Sequence, residues 1–193
     1  MRWGWLSALI IGLSHGSGIY KVSECSAFSE ESPVPSYSLT RSHDSLYYLN
    51  EFRLPYPVYR FCTGDVNGDG SPDALVGVVK RTRFHHEIGR RIFIFKKVDG
   101  KVRPLWMGSK LGGILQDFRV VEDGSPKTND PHKTHKTYKT HKTYTPCIIR
   151  ALETTTDNRY VVSEYRWEGF GLAFDRFLIK NTDQETAYKY FNL

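Results

Sequence analysis

Short apolar runs rich in β-branched and aromatic residues recur along most of the chain, separated by Gly, Pro, Asn and Asp. Residues 74–80, ALVGVVK, are apolar almost throughout, which favours a strand buried on both faces. Residues 91–97, RIFIFKK, alternate more strictly, and Asp99-Gly100 then signals a two-residue hairpin turn. No segment has apolar residues that recur as clearly at the helical period. The strand segments expected are 59–62, 74–80, 91–97, 101–107, 118–121, 147–152, 160–167 and 172–179.

These segments follow one another at the short spacing of antiparallel meanders. The composition agrees, because 12 Tyr and 11 Phe against 2 Met suit a pleated surface better than a helix. We therefore predict an all-β fold, an antiparallel meander of about eight short strands. The meander would form a propeller-blade-like sheet or a small sandwich or barrel.

The polar and apolar patterns divide the chain into three parts. Residues 1–18 combine Arg2, an apolar run and small residues, as a secretory leader does, although a buried N-terminal strand is the alternative. Residues 19–45 are rich in Ser, Pro and charge and predict a polar tether. Residues 46–193 are expected to form a single β domain. The leader predicts an exported protein, periplasmic or associated with the cell surface.

A low-complexity insertion at residues 127–145 interrupts this domain and contains KTHKTY twice in tandem. The repeat has no apolar face at either period, so it predicts a solvated loop. Its His132, His135 and His141 could alternatively capture a transition metal, although nothing in the repeat would orient the imidazoles.

The net charge of +6 is concentrated in the same region, since five lysines and one aspartate within residues 127–144 contribute +4. The rest of the chain is close to neutral. We therefore expect no nucleic-acid-binding face, which would need basic residues interleaved with aromatic ones on the folded domain.

Three cysteines cannot all pair within one chain. Cys25 follows a segment that loosely resembles a lipobox, so a lipid anchor at Cys25 is the only membrane attachment expected. Cys62 and Cys147 could form a disulfide in an oxidising compartment or remain two buried thiols, and the sequence leaves both open.

Residues 65–73, DVNGDGSPD, have the spacing of a calcium-binding loop. Calcium takes about six to eight oxygen ligands, which alternate residues of a tight loop can supply. Gly70 provides the sharp turn, Ser71 can offer its backbone carbonyl, and Val76 stands where an EF-hand has its chelating Glu. A metal-free Asx-rich turn is the alternative. The candidate side-chain ligands are Asp65, Asn67, Asp69 and Asp73.

Residues 64–70, GDVNGDG, with residues 73–77, DALVG, resemble the calcium loops of integrin-type FG-GAP and VCBS repeats, and RIFIFKKVDGK resembles the next blade hairpin. The resemblance covers about residues 60–108. It implies a structural Ca²⁺ ion held by the four side chains and the Ser71 carbonyl. The layout also resembles small exported, lipoprotein-like bacterial proteins, a likeness that implies no activity.

Candidate catalytic residues are few. His85-His86-Glu87 is expected in a loop between residues 80 and 90, with no third ligand or nucleophile at a recognised spacing. Glu164 and Glu168 flank aromatic residues, an arrangement that suits sugar chemistry.

The aromatic segment from Glu164 to Phe174 either packs in the core or forms a ligand surface through Tyr165, Trp167 and Phe170. The sequence thus predicts a non-enzymatic calcium-binding domain that binds an unknown protein or glycan. The alternatives are a carbohydrate-binding or carbohydrate-active protein and a His-rich metal-capture protein.

Overall fold

The computed structural model describes residues 37–193 except 45, 84, 109–110 and 124–144. The expected leader, Cys25, most of the expected tether and the KTHKTY repeat with its histidines lie outside the described residues. So does nearly all of the insertion predicted at residues 127–145.

The described residues form eleven strands and one short helix. In chain order these are β1 Leu39–Arg41, β2 Tyr47–Leu49, β3 Phe52–Leu54, β4 Val58–Gly64, β5 Asp73–Thr82, β6 His85–Val98, β7 Lys101–Trp106, β8 Ile114–Val121, β9 Ile148–Thr154, β10 Tyr160–Glu168, β11 Gly171–Thr182 and α1 Gln184–Phe191.

Within the described ranges the strands make three antiparallel sheets, and none of the three closes into a barrel. The small sheet has the order β1-β2-β3, the first large sheet β4-β5-β6-β7 and the second large sheet β11-β10-β9-β8. Each is a meander, because sequence neighbours are also sheet neighbours. The all-β prediction is confirmed.

Three apolar cores separate four layers. The first large sheet lies in the middle: one face packs under the small sheet through residues such as Leu49 and Phe93. Its other face packs against the second large sheet around Leu75 and Phe118. The far face of the second large sheet carries α1 through Val162 and Phe191.

Strand β5 is buried on both faces, as its apolar run predicts. Leu75 points into the core between the two large sheets, whereas Ala74, Val76 and Val78 point toward the small sheet. This alternation follows from the two-residue period of a strand.

The hairpin predicted at Asp99-Gly100 joins β6 to β7, with Val98 paired to Lys101. Both turn residues have positive φ, 51° at Asp99 and 75° at Gly100. A type I′ turn requires this backbone, which Asp and Gly adopt more readily than other residues.

Four elements lie outside the strand segments that the sequence predicted: β1, β2, β3 and α1. Strand β1 falls within the expected tether, and it pairs with β2 so that Leu39 faces Leu49. Helix α1 begins after Asp183, whose carboxylate accepts a hydrogen bond from the Thr186 N–H at 2.9 Å. The helix has only eight residues, which is too short for a helical period to stand out. Across the described ranges, no helix is both long and apolar enough to span a membrane.

Candidate functional site

The predicted metal loop, residues 65–73, joins β4 to β5. It begins directly after Gly64, and its last residue, Asp73, is the first residue of β5, so its expected place between two strands is confirmed. Gly68 and Gly70 have φ of 75° and 86°. These left-handed positions let the backbone turn twice within a few residues, which explains the glycines.

Asp65 is buried at the start of the loop and organises its backbone. Its Oδ1 accepts hydrogen bonds from the N–H groups of Gly68 at 2.7 Å and Asp69 at 3.2 Å, and its Oδ2 from Gly70 N–H at 2.8 Å. Burial raises the pKa of Asp65, against the effect of these donors.

Asp73 closes the loop from the other side and is only 1% exposed. Its Oδ2 accepts hydrogen bonds from Val66 N–H at 3.1 Å and Asn67 N–H at 3.3 Å. Burial, with smaller contributions from the charges of Asp69 and Asp65, raises the pKa of Asp73 to about 7. The backbone donors therefore do not fully offset the cost of burying the charged form of Asp73.

The remaining predicted ligands lie on the outer part of the same loop. The Asn67 Oδ1 atom accepts a hydrogen bond from Asp69 N–H at 2.9 Å, and the Asn67 amide donates to Asp69 Oδ2 at 3.1 Å. Ser71 N–H donates to Asp69 Oδ1 at 2.9 Å. Asp69 and Ser71 are exposed, so an ion could approach from solvent.

The donor set suits a hard cation, because it consists of carboxylate and amide oxygens. None of the ion pairs in the described ranges involves Asp65, Asp69 or Asp73. Each carboxylate offers about four lone-pair sites, more than the backbone donors occupy. In the described residues, however, no three His, Cys, Asp or Glu side chains are already grouped as a metal site. The residue types therefore fit calcium, while the carboxylates bind the loop backbone.

The loop also contacts the second large sheet. The Asp65 carbonyl accepts a hydrogen bond from Cys147 N–H at 2.7 Å. A Cβ added to Gly68 would lie 2.8 Å from Pro146 Cγ, so the proline ring packs directly against the loop backbone at Gly68. Anything that orders the loop therefore acts on the junction between the two large sheets.

Both cysteines that the structure describes lie in the core between the large sheets. Cys147 is a buried, free thiol, so Cys62 and Cys147 are not joined to each other. Burial raises the pKa of Cys147 to about 11. Of the two alternatives left open by the sequence, the structure has the buried thiols.

The acidic residues of the aromatic segment have separate environments. Glu164 is 1% exposed and is bound by two arginines: Arg150 Nη2 lies 2.9 Å from its Oε1, and Arg176 Nε lies 2.7 Å from its Oε2. Glu168 is exposed at the end of β10. Glu164 is thus neutralised within the protein, which does not suit a general acid or base facing a sugar.

The three aromatic residues predicted as a ligand surface also differ. Trp167 is half-buried and packs on the core between the large sheets, whereas Phe170 is 91% exposed in the β10–β11 turn. Tyr165 is buried, and its hydroxyl accepts a hydrogen bond from Gly112 N–H at 3.0 Å. Of the three, Tyr165 lines a cavity that the sequence did not predict.

This sheet cavity has a volume of about 580 Å³. Its walls come from the 112–113 segment, the ends of β9 and β10, and β11. The lining residues are Gly112, Gly113, Glu153, Thr154, Thr155, Asp157, Val161, Tyr165, Phe174, Phe177, Lys180 and Asn181.

The prediction of a loop over His85-His86-Glu87 was wrong. All three belong to β6, and His85 pairs with Thr82 of β5, because this hairpin extends both strands beyond the core. His86 and Glu87 are exposed.

Two features thus carry chemistry: the metal loop at residues 65–73 and the sheet cavity. Comparison with protein-family models, with curated proteins and with solved structures found no match for this chain. The geometry of these two features is therefore the basis for a function.

Proposed function

We propose that this protein is an exported, non-enzymatic β domain that binds one structural Ca²⁺ ion in the metal loop and acts by binding another molecule. The observation that carries the proposal is the burial of Asp65 and Asp73 without an ion pair in the described residues. Buried carboxylates are costly unless they are paired or bind a metal.

The ion would be held by the side chains of Asp65, Asn67, Asp69 and Asp73 and by the Ser71 carbonyl. It would supply the positive charge that the loop lacks. The resemblance of residues 64–77 to FG-GAP and VCBS loops supports the same donor set. Extracellular calcium modules bind weakly, with Kd of about 10⁻⁴ to 10⁻³ M, which agrees with an exported protein.

The position of the loop supports a structural role. Asp65 and Gly68 contact residues 146–147, directly before β9, so an ion that orders the loop would stabilise the packing of both large sheets. The environment of Glu164 supports a non-enzymatic role for the domain, since ion pairs with two arginines leave this carboxylate unsuited to acid or base catalysis.

Calcium titration of chelator-treated protein by isothermal calorimetry tests the proposal. We expect one site, weakened at least about tenfold by Asp69→Asn, because a charged ligand is lost at an exposed position. Asp99→Asn is the matched control, since it removes an exposed Asp from another hairpin turn and should leave affinity unchanged. No binding at millimolar calcium, or equal binding by Asp69→Asn, would refute the calcium site.

A carbohydrate-binding function is the second candidate, because Phe174 and Phe177 give the sheet cavity an aromatic wall on which a sugar could stack. A glycan array with wild type and Phe177→Ala tests it: binding that requires Phe177 supports it. A hydrolysis screen with Glu164→Gln and Glu168→Gln tests the enzymatic version, which predicts activity lost in either variant.

A further inference from the structure

We infer that the sheet cavity binds a small organic cation, an amine joined to a flat apolar body. This inference goes beyond the calcium site and does not depend on it. It rests on three properties of the cavity: a buried carboxylate, an aromatic wall and a net negative lining.

The buried carboxylate is Glu153, which is 1% exposed. Its Oε1 accepts a hydrogen bond from Gly113 N–H at 2.8 Å, and its Oε2 accepts one from the Tyr165 hydroxyl at 3.0 Å. No ion pair within the described ranges includes Glu153. These two neutral donors leave some carboxylate lone pairs unoccupied and provide no positive charge. A ligand ammonium would donate hydrogen bonds to the free lone pairs and compensate the negative charge.

The Glu153 position is fixed rather than adaptable. A Cβ on Gly113 would lie 2.9 Å from Glu153 Cβ, so the 112–113 segment presses directly on this side chain. Tyr165 holds the carboxylate from the other side and is itself held by Gly112 N–H. A preformed acceptor of this kind favours a ligand that places one cation at one point.

The aromatic wall consists of Phe174 and Phe177 on β11, with ring centroids 4.5 Å apart. Both are about half exposed, and Tyr165 continues the wall with its ring 6.0 Å from that of Phe174. Exposed aromatic rings beside a cavity can cover a flat apolar group. Their faces also attract cations, as the Lys180 Nζ atom 4.7 Å from the Phe177 centroid illustrates.

The charges of the lining favour a cation over an anion. Glu153 and Asp157 are the acidic lining residues and Lys180 is the basic one, which leaves the lining negative. Lys180 is exposed, so its charge is screened by solvent, whereas that of Glu153 is not. An anionic ligand would therefore meet the buried charge of the same sign.

Three probes of one shape test the inference: phenethylamine, 2-phenylethanol and phenylacetate, each titrated into the full-length protein by isothermal calorimetry. We expect phenethylamine to bind at least about tenfold more tightly than 2-phenylethanol, because a hydrogen bond to a charged group is stronger than a neutral one. Phenylacetate should bind most weakly. A sugar such as methyl glucoside is included to represent the carbohydrate alternative.

The variants act in opposite directions. Glu153→Gln keeps the size and an acceptor oxygen but should remove the preference for the amine, whereas Lys180→Gln should tighten amine binding because it frees the Phe177 ring face, over which Lys180 Nζ lies. Glu185→Gln, which changes an exposed carboxylate on α1 outside the lining, is the control and should leave amine binding unchanged. If Glu153→Gln does not fold, Phe177→Ala replaces it and should weaken the amine through loss of the wall.

Binding of the amine that depends on Glu153 or Phe177 supports the inference. It is overturned if the amine does not bind, if alcohol or acid binds equally well, or if only the sugar binds. A preference for the amine that survives Glu153→Gln also overturns it. None of these outcomes depends on calcium, so failure here is distinguishable from failure of the metal loop.

Discussion

Glu164 and the metal loop are two ways of burying a carboxylate in one protein. Glu164 is enclosed by Arg150 and Arg176, so its charge is compensated by the chain itself. Asp65 and Asp73 are equally buried, but they accept only backbone N–H groups in the described structure. The pKa of Asp73 is raised to about 7 by burial.

Burial alone therefore does not identify a functional carboxylate. A carboxylate with arginine partners needs nothing further, and its role is to stabilise the fold. Carboxylates that lack a cation gain stability if an external cation binds. The same reasoning separates Glu153 in the sheet cavity from Glu164, although both lie on the second large sheet.

The largest effect is expected at the internally compensated site. Glu164→Gln leaves Arg150 and Arg176 without their counter-charge and should lower the free energy of unfolding by about 3 kcal/mol. We place it at the lower end of the usual range because the Arg176 side chain is 54% exposed and can be hydrated. Urea denaturation measures it. Glu168→Gln is the exposed control on the same strand, and equal stability of the two variants would contradict the structural role of Glu164.

A smaller effect is expected where the metal loop contacts the second large sheet. In Gly68→Ala the new Cβ would clash with Pro146 and the residue would have to keep a positive φ. The substitution should lower the free energy of unfolding by about 1–3 kcal/mol. Gly100→Ala is a matched control, because Gly100 has the same φ of 75° but nothing within 4 Å of an added Cβ. The difference between the two urea midpoints isolates the contact with Pro146. If the midpoints coincide, the loop does not support the junction.

The smallest effect is expected at Asp183, an exposed carboxylate that also accepts a hydrogen bond from a backbone N–H. Hydrogen bonds from Thr186 lower the pKa of Asp183, the N-cap of α1. Because the folded pKa is below the ordinary value, the stabilisation is present above about pH 4 and is lost as pH falls further. Asp183→Ala should lower Tm by about 2–4 °C at neutral pH. A Tm loss that persists undiminished at pH 2 would contradict a charge-dependent cap.

Local signals in the sequence predicted the parts of the fold that local physics determines. The apolar run at residues 74–80 predicts a strand buried on both faces, and Asp99-Gly100 predicts a hairpin turn, each from adjacent residues alone. Both predictions were confirmed. Helix α1 is too short for periodicity, and β1 has only three residues, whose strand structure depends on pairing with β2 rather than on a local apolar repeat.

The sites divide in the same way. The metal loop is contiguous, so its candidate ligands could be proposed from spacing alone. The sheet cavity could not be predicted in this way. Gly113, Glu153 and Phe177 come together only when β8 pairs with β9 and β10 joins β11 to the same sheet. The two arginines that neutralise Glu164 depend on the same pairing, so the sequence could not separate a structural Glu from a catalytic one.

We propose that calcium supplies the cation that the metal loop lacks, whereas Glu164 is already paired with two arginines. Urea denaturation in calcium and in chelator tests it most directly, on wild type, Asp69→Ala and Glu164→Gln. At calcium of about 100 times Kd, wild type should gain about 2.7 kcal/mol, Glu164→Gln should gain the same from a lower starting stability, and Asp69→Ala should gain little. Equal stability of wild type in calcium and in chelator would contradict the claim.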